Sequence, residues 1–146
     1  MATTASEILA RKPPQNVEAE TCVLGAIMLD NDALGIATEI ISADDFYDPQ
    51  HRASFEIIQK LYEGNRAVDA VTVRDQLLAD GKLDEVGGQE ALLRIMEAVP
   101  SAANVSDYAD IVHDRAVKRS LISVANKLIE DAYGSTDEAN TLVESV

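Results

Sequence analysis

The sequence is short of positive charge, aromatic residues and cysteine. Its 146 residues include no tryptophan and one cysteine. There are 12 basic and 26 acidic residues, which gives a formal net charge of −14. A single cysteine excludes an internal disulfide and a CxxC site. The negative charge repels phosphate backbones and argues against unassisted nucleic-acid binding.

Long hydrophobic runs are also missing. No apolar segment approaches the roughly 20 residues of a membrane span, and the N-terminus lacks the basic start and apolar run of a signal peptide. We therefore expect neither feature, and we expect a cytoplasmic protein. A chain of 146 residues with 47% apolar residues suits one small globular domain.

The most apolar stretch, residues 16–29, predicts a helix around which the rest of the domain packs. Almost no polar face remains along it, which is typical of a core helix. Its start is marked by Asn16, a favourable N-cap, and by Pro13 and Pro14, which keep the preceding chain extended. Asp30-Asn31-Asp32 supplies turn chemistry at its end.

Two more helices are predicted next. The first lies behind a cap at Asn31 or Asp32, and the second begins at Asp48, an N-cap followed by proline. Between them, Phe46 and Tyr47 are expected to fill the core, because aromatic side chains are scarce here and bury a large area.

A fourth and a fifth short helix complete the first hundred residues. Thr72, with Asp75 three residues on, resembles a capping box and predicts the start of the fourth helix. The fifth spans residues 89–98 and is ended by Pro100. Its inward face is predicted to consist of Leu92, Leu93, Met96 and Val99.

After Pro100 the pattern changes to one long helix. Asn104 is a candidate N-cap, and residues 105–133 contain no proline or glycine, so a helix of about 43 Å is predicted. A second helix is predicted after Thr136, with apolar residues at helical spacing up to Val146. The sequence ends inside that stripe, and we expect a fragment of a longer protein.

Together these patterns predict an all-α fold. The predicted domains are a flexible N-terminal arm at 1–12, a compact head of about five short helices at 13–100, and a helical hairpin at 101–146 whose second helix is truncated. The exposed stripe of the long helix needs a partner helix to cover it.

The order of several segments resembles the N-terminal domain of bacterial replicative DNA helicases of the DnaB family. The resemblance covers residues 13–133. The matching segments, in order, are PPQNVEAE, VLGAIMLDNDAL, DDFYDPQHR, LYEGN, VDAVTV, GKLDEVGG and VPSAANVSDYADIV.

The resemblance implies a role in DNA replication. In this family, hairpins pair between subunits, and a trimer of dimers forms a collar on the hexameric motor. The collar docks primase, and in some lineages loading factors engage the helicase. The resemblance therefore implies self-association, primase and a loader as partners, with DNA contacted only through the full-length helicase and no membrane. The family carries a tyrosine where this chain has Ala91, so primase contact there is expected to differ.

The chain is not expected to be an enzyme. The helicase motor needs a GxxxxGK[ST] loop, which holds nucleotide phosphates, and this sequence contains none. We expect no catalytic residue, no cofactor and no metal in this chain, with ATP and magnesium confined to a motor domain elsewhere in the parent helicase.

Three candidate sites have simpler structural explanations. Asp44, Asp45, Asp48 and His51 lie close in sequence and could hold a divalent cation, but Asp48 is better explained as a helix cap. Cys22 lies in the most apolar helix and is interpreted as a small buried hydrophobe. His113 has no nucleophile at triad spacing and is interpreted as solvated.

Two groups on the long helix are candidate interface residues. The basic group Arg115, Lys118 and Arg119 shares one helix face. It could contact an acidic partner or DNA, and pairing with Asp114 or other nearby acids is the favoured interpretation. The second group is an apolar stripe, which could pair with another subunit, pack against Leu142, Val143 and Val146 of the same chain, or do both, because a hairpin has two sides. We call this stripe the seam; it consists of Leu121, Ile122, Ala125, Leu128 and Ile129.

Two other classes of protein remain open from the residues alone. A free-standing helical adaptor would show the same periodicities. An acidic metal-dependent enzyme would require tight divalent-ion binding at residues 44–51.

Overall fold

A computed structural model describes residues 4, 7–8, 11–134, 136 and 138–146. The described residues form seven α-helices and contain no strand, which confirms the all-α prediction. In chain order the helices are α1 (Val17–Leu29), α2 (Asp32–Thr38), α3 (Pro49–Glu63), α4 (Ala70–Ala79), α5 (Gly88–Met96), α6 (Val105–Gly134) and α7 (Ala139–Glu144). Short 3₁₀ turns lie at Ala43–Asp45 and Leu83–Val86.

The chain divides into two compact units. The head unit is Gln15–Ala116, and the hairpin unit comprises the described residues of Met1–Pro14 and Val117–Val146. The division falls within α6, whereas the boundary predicted from the sequence lay at residue 100. The difference arises because Val105, Ala109 and Val112, in the first turns of α6, are buried in the core of the head unit.

Helix α1 is the centre of the head unit, as predicted. Val23, Leu24, Ala26 and Ile27 are fully buried. Its start is held by Asn16, whose side chain accepts a hydrogen bond from the Ala19 amide at 2.9 Å, so the predicted N-cap is confirmed.

A glycine lets α1 approach α5 closely. A Cβ atom added to Gly25 would lie 2.5 Å from the carbonyl oxygen of Ile95, which is a severe clash. This approach fixes the inward face of α5 as Ala91, Leu92 and Ile95. The predicted face was wrong for Leu93 and Met96, which are exposed, although Leu92 and Val99 are buried as predicted.

The segment before α3 plugs the core with one aromatic ring. Phe46 is fully buried and its ring centroid lies 5.0 Å from that of Phe55, whereas Tyr47 is only half-buried. Asp48 accepts a hydrogen bond from the Gln50 amide at 2.8 Å, which confirms it as the N-cap of α3.

The cap of α4 lies three residues earlier than predicted. Asp69 accepts from the Thr72 amide, and the Thr72 hydroxyl oxygen accepts from the Asp69 amide, so Thr72 is the second member of the capping box. The loop before this cap is held by Asn31, whose side chain donates to the Val68 carbonyl and accepts from the Val68 amide. The side-chain amide of Asn31 thus satisfies the backbone hydrogen-bonding groups of Val68, which has no neighbouring strand in the described part of the fold.

Candidate self-association surface of the long helix

The part of α6 in the hairpin unit carries an exposed row of large apolar side chains. Leu121 is 63% exposed, Ile129 54%, Ile122 47% and Leu128 41%. Single exposed apolar residues are ordinary on a protein surface, but a contiguous row on one helix marks an interaction surface. These four residues and Ala125 are the seam predicted from the sequence, and all five are exposed.

The seam occupies one of three faces of α6. At roughly 100° per residue, its five positions lie within an arc of roughly 120°. A second face meets α7, and a third meets residues 8 and 11–14 of the N-terminal arm, which here is taken to include Pro13 and Pro14. The centres of these two faces lie roughly 110° to either side of the seam. Neither element therefore covers the seam within the described hairpin unit.

Helix α7 lines a groove with the second face of α6. The groove has a volume of about 440 Å³, and its α6 wall includes Val124, Lys127 and Leu128. From α7, Leu142 is half-buried and lines the groove, whereas Val143 is 72% exposed. Three residues were predicted to pack within the chain. Leu142 and Val146 line this groove, whereas Val143 is left on the surface.

The arm lines a second groove with the third face of α6. The Arg119 guanidinium donates a hydrogen bond from Nη1 to the carbonyl oxygen of Pro14 at 2.8 Å. Prolines at 13 and 14 restrict the backbone, and this bond ties Pro14 to α6. We call this space the arm groove; it has a volume of about 570 Å³ and is lined by Ile8, Arg11, Lys12, Pro13, Pro14, Arg119, Ile122, Ser123 and Asn126.

The predicted basic group does not act as one cluster. Arg115 forms an ion pair with Asp114, which agrees with the favoured interpretation of that residue. Arg119 instead binds the arm, and Lys118 is exposed. No alignment of charges visible in the sequence indicated that Arg119 would bind a backbone carbonyl more than one hundred residues away.

Two members of the candidate metal cluster at residues 44–51, Asp48 and His51, take part in a structural network. His51 is buried, and its Nδ1 lies 3.0 Å from Oε1 of Glu20 on α1. The Glu20 carboxylate also accepts hydrogen bonds from the amides of Tyr47 and Asp48, at 2.8 and 3.2 Å. Among the described residues, no group of three His, Cys, Asp or Glu side chains is placed to hold a metal ion.

Glu20 was not among the candidate residues predicted from the sequence, although the residue is 1% exposed. The carboxylate ties the loop before α3 to the core helix, because it satisfies two backbone amides that would otherwise lack partners. The only signal in the sequence was an acidic residue within an apolar helix.

Cys22 has the character of an unreactive thiol. It is partly buried, and burial, together with the neighbouring Glu18 carboxylate, raises the pKa of its thiol above the ordinary value. A raised pKa leaves little thiolate at neutral pH, and the thiolate is the reactive form. This agrees with the interpretation of Cys22 as a packing residue.

The head unit has an exposed apolar groove of its own. It lies between α4 and α5, has a volume of about 300 Å³, and is lined in part by Val71, Leu78 and Leu93. These three side chains are between 47% and 77% exposed. We call this the head groove.

Of the described helices, none is long and apolar enough to cross a membrane.

Known proteins resemble this chain over most of its length. Residues 12–114 match the family described as DnaB-like helicase N terminal domain. The chain is 41% identical to the replicative DNA helicase DnaB of Geobacillus stearothermophilus over 95% of this chain and 31% of that protein. It is 38% identical to that of Treponema pallidum over 99% of this chain and 33% of that protein. The chain thus spans about a third of the length of these curated relatives.

Solved structures share the fold. The N-terminal domain of DnaB helicase from Mycobacterium tuberculosis has a TM-score of 0.87 at 33% identity, covering 92% of this chain and 94% of that one. The N-terminal domain from Helicobacter pylori, described together with its interactions with primase, has a TM-score of 0.70 at 28% identity, covering 80% and 90%.

Proposed function

Because the chain belongs to the DnaB-like helicase N-terminal domain family, we propose that it forms the collar of a replicative DNA helicase, which assembles subunits and docks primase. The uncovered seam is the observation that supports the assembly of subunits. Leu121 and Leu128 are exposed one above the other on α6, and neither the arm nor α7 covers the seam between them. Burying such a row against a second copy is favourable by about 25 cal/mol per Å² of apolar area.

Sedimentation equilibrium tests the assembly of subunits. The variant Leu121→Asp/Leu128→Asp places two charges in the seam, and we expect it to be monomeric where the parent chain associates. The control Ile36→Asp/Tyr62→Asp adds the same two charges at exposed head positions and is expected to associate like the parent. A strictly monomeric parent at high concentration would overturn the proposal.

The primase half rests on the relatives. The Helicobacter pylori domain is described with its interactions with primase, and this chain shares its fold. We place primase on the head unit, where the head groove offers exposed apolar side chains at Leu78 and Leu93. Ala91 is buried in α5, so it offers little contact surface to a partner.

Calorimetric titration with the C-terminal domain of the cognate primase tests the docking half. We expect Leu78→Asp/Leu93→Asp to weaken binding at least tenfold, since central apolar contacts dominate interface energies. Ile36→Asp/Tyr62→Asp serves again as the control. Unchanged binding by the head-groove variant would move the primase site elsewhere.

Motor activity is assigned to another part of the parent protein. The absence of a GxxxxGK[ST] loop supports a chain that neither hydrolyses ATP nor requires magnesium. DNA and any loading factor would then be engaged by the assembled helicase. An ATPase assay on the purified chain tests this assignment, and turnover above background would contradict it.

A further inference from the structure

The arm groove differs in charge from the rest of the chain. Acidic residues outnumber basic ones 26 to 12 over the whole sequence. The residues described as lining this groove nevertheless include Arg11, Lys12 and Arg119, and no aspartate or glutamate. Its apolar surface is provided by Ile8, Ile122 and the two prolines. A groove that combines apolar and cationic side chains fits an acidic segment that carries apolar side chains.

The complementary segment lies in the same sequence. Residues 130–146 contain five acidic residues and no lysine or arginine. Within this segment, Val143 of α7 is 72% exposed, whereas Leu142 lies against α6 of the same copy. Glu138 lies just before the helix and Glu144 at its end. Helix α7 therefore combines an exposed apolar side chain with negative charge at both ends.

A copy does not place its own α7 in its own arm groove. In the structure α7 lines the face of α6 that contains Lys127 and Asp131, roughly 140° around the helix from the face that meets the arm. The arm groove is therefore open to a different molecule.

The arm groove is continuous with the seam. Ile122 belongs to both surfaces, so a second copy seated on the seam lies directly beside the groove. We propose that the arm groove receives the acidic helix α7 of a second copy, so that the N-terminal arm is a built-in part of the self-association surface. This inference rests on the proposed self-association and adds a charge-matched contact to it.

Two charge-reversal variants test the contact. Arg11→Glu/Lys12→Glu makes the groove acidic, and Glu138→Lys/Glu144→Lys makes α7 basic. In each variant alone, the arm groove and the α7 that would enter it carry charge of the same sign. Each variant should therefore raise the dissociation constant of self-association about tenfold or more. In an equal mixture, every groove of one variant meets an α7 of opposite charge on the other. We expect the mixture to regain parental affinity by sedimentation.

A matched control separates local contact from net charge. Lys82→Glu/Arg94→Glu changes the net charge by the same amount at exposed positions of the head unit. We expect it to associate more tightly than Arg11→Glu/Lys12→Glu by about tenfold at low ionic strength, and we expect this gap to narrow in high salt.

Three outcomes would overturn the contact. The first is an arm variant that associates as tightly as the control, and the second is a mixture that regains no affinity. The third is a parent chain that binds a single-stranded oligonucleotide through the arm, lost in Arg11→Glu/Lys12→Glu while self-association is unchanged. If Leu121→Asp/Leu128→Asp still abolishes association in any of these cases, only the groove contact fails and the seam stands. A monomeric parent chain would instead remove the proposed self-association itself.

Discussion

The two ends of α6 carry similar apolar patterns with opposite outcomes. In the head unit, Val105, Ala109 and Val112 are at most 2% exposed. In the hairpin unit, Leu121 and Ile129 are more than half exposed on the same helix. Helical periodicity identifies a face that must be covered, but it does not say whether the cover comes from the same chain. That distinction separates a folding core from an assembly surface.

The largest difference in the free energy of unfolding is expected when a leucine is truncated to alanine in the head unit and in the hairpin unit. Leu24→Ala removes a fully buried side chain from α1 and should lower the free energy of unfolding by about 2–5 kcal/mol. Leu121→Ala should cost less than about 0.5 kcal/mol in dilute protein, because little surface is buried there. Urea denaturation measures both. A loss above about 1 kcal/mol for Leu121→Ala would mean that the seam is covered within one copy.

Glycine substitutions sharpen the comparison between packed and open surfaces. Gly25→Ala forces a methyl group against the Ile95 carbonyl and should destabilise the chain by about 1–3 kcal/mol. Gly35→Ala is the matched control, since nothing lies within 4 Å of its added Cβ. Removing a glycine from a helix interior should stabilise the chain by about 0.5–1 kcal/mol. The midpoint of thermal denaturation should fall for Gly25→Ala and rise for Gly35→Ala. Equal shifts of the two midpoints would contradict the close approach of α1 and α5.

Single carboxylates should matter more in the head unit than in the hairpin unit. Asp48→Ala removes the N-cap of α3 and should cost about 1 kcal/mol. Asp131→Ala removes the pair with Lys127, one helical turn away at 3.3 Å, and should cost about 0.3–0.5 kcal/mol. Urea midpoints of the two variants give the comparison. The reverse order would mean that the hairpin unit depends on its surface charges for stability.

The smallest expected effect is a dependence on pH at an exposed pair of the head unit. Hydrogen bonds from Lys60 and then Gln76 lower the pKa of Asp80. A carboxyl whose pKa is lowered by folding stabilises the fold above its unfolded pKa, and this contribution is lost as the pH falls through the folded pKa. Lys60→Met should therefore be slightly less stable than the parent near neutral pH. The difference in urea midpoint should shrink between about pH 5 and about pH 2, and a constant difference would exclude Asp80 as its source.

Much of the fold followed from local chemistry. The N-caps Asn16 and Asp48 were predicted and observed. Errors arose where a contact distant in sequence decided the outcome. Leu93 and Met96 fit a helical stripe, but the approach permitted by Gly25 turned Ile95 inward instead.

On the candidate surface, too, the features set by local spacing were predicted and the contacts distant in sequence were not. Leu121, Ile122, Ala125, Leu128 and Ile129 were identified from spacing alone, and the structure leaves all five exposed. The arm groove was not predicted, because Arg119 and Pro14 are 105 positions apart and their bond leaves no periodic signal. The roles of Glu20 and His51 were missed for a similar reason, since a network spanning 31 positions is invisible to spacing rules.

The amino-acid sequence by itself determined that this chain is helical, where most helices begin and end, and that α6 carries an apolar stripe over its length. Those features depend on caps, prolines, glycines and a 3.6-residue period, all of which act over a few neighbouring positions. Only the tertiary structure decided which part of the stripe is buried and which stays open. Burial depends on which distant segments meet, and a helix face carries no record of its partner until the chain has folded.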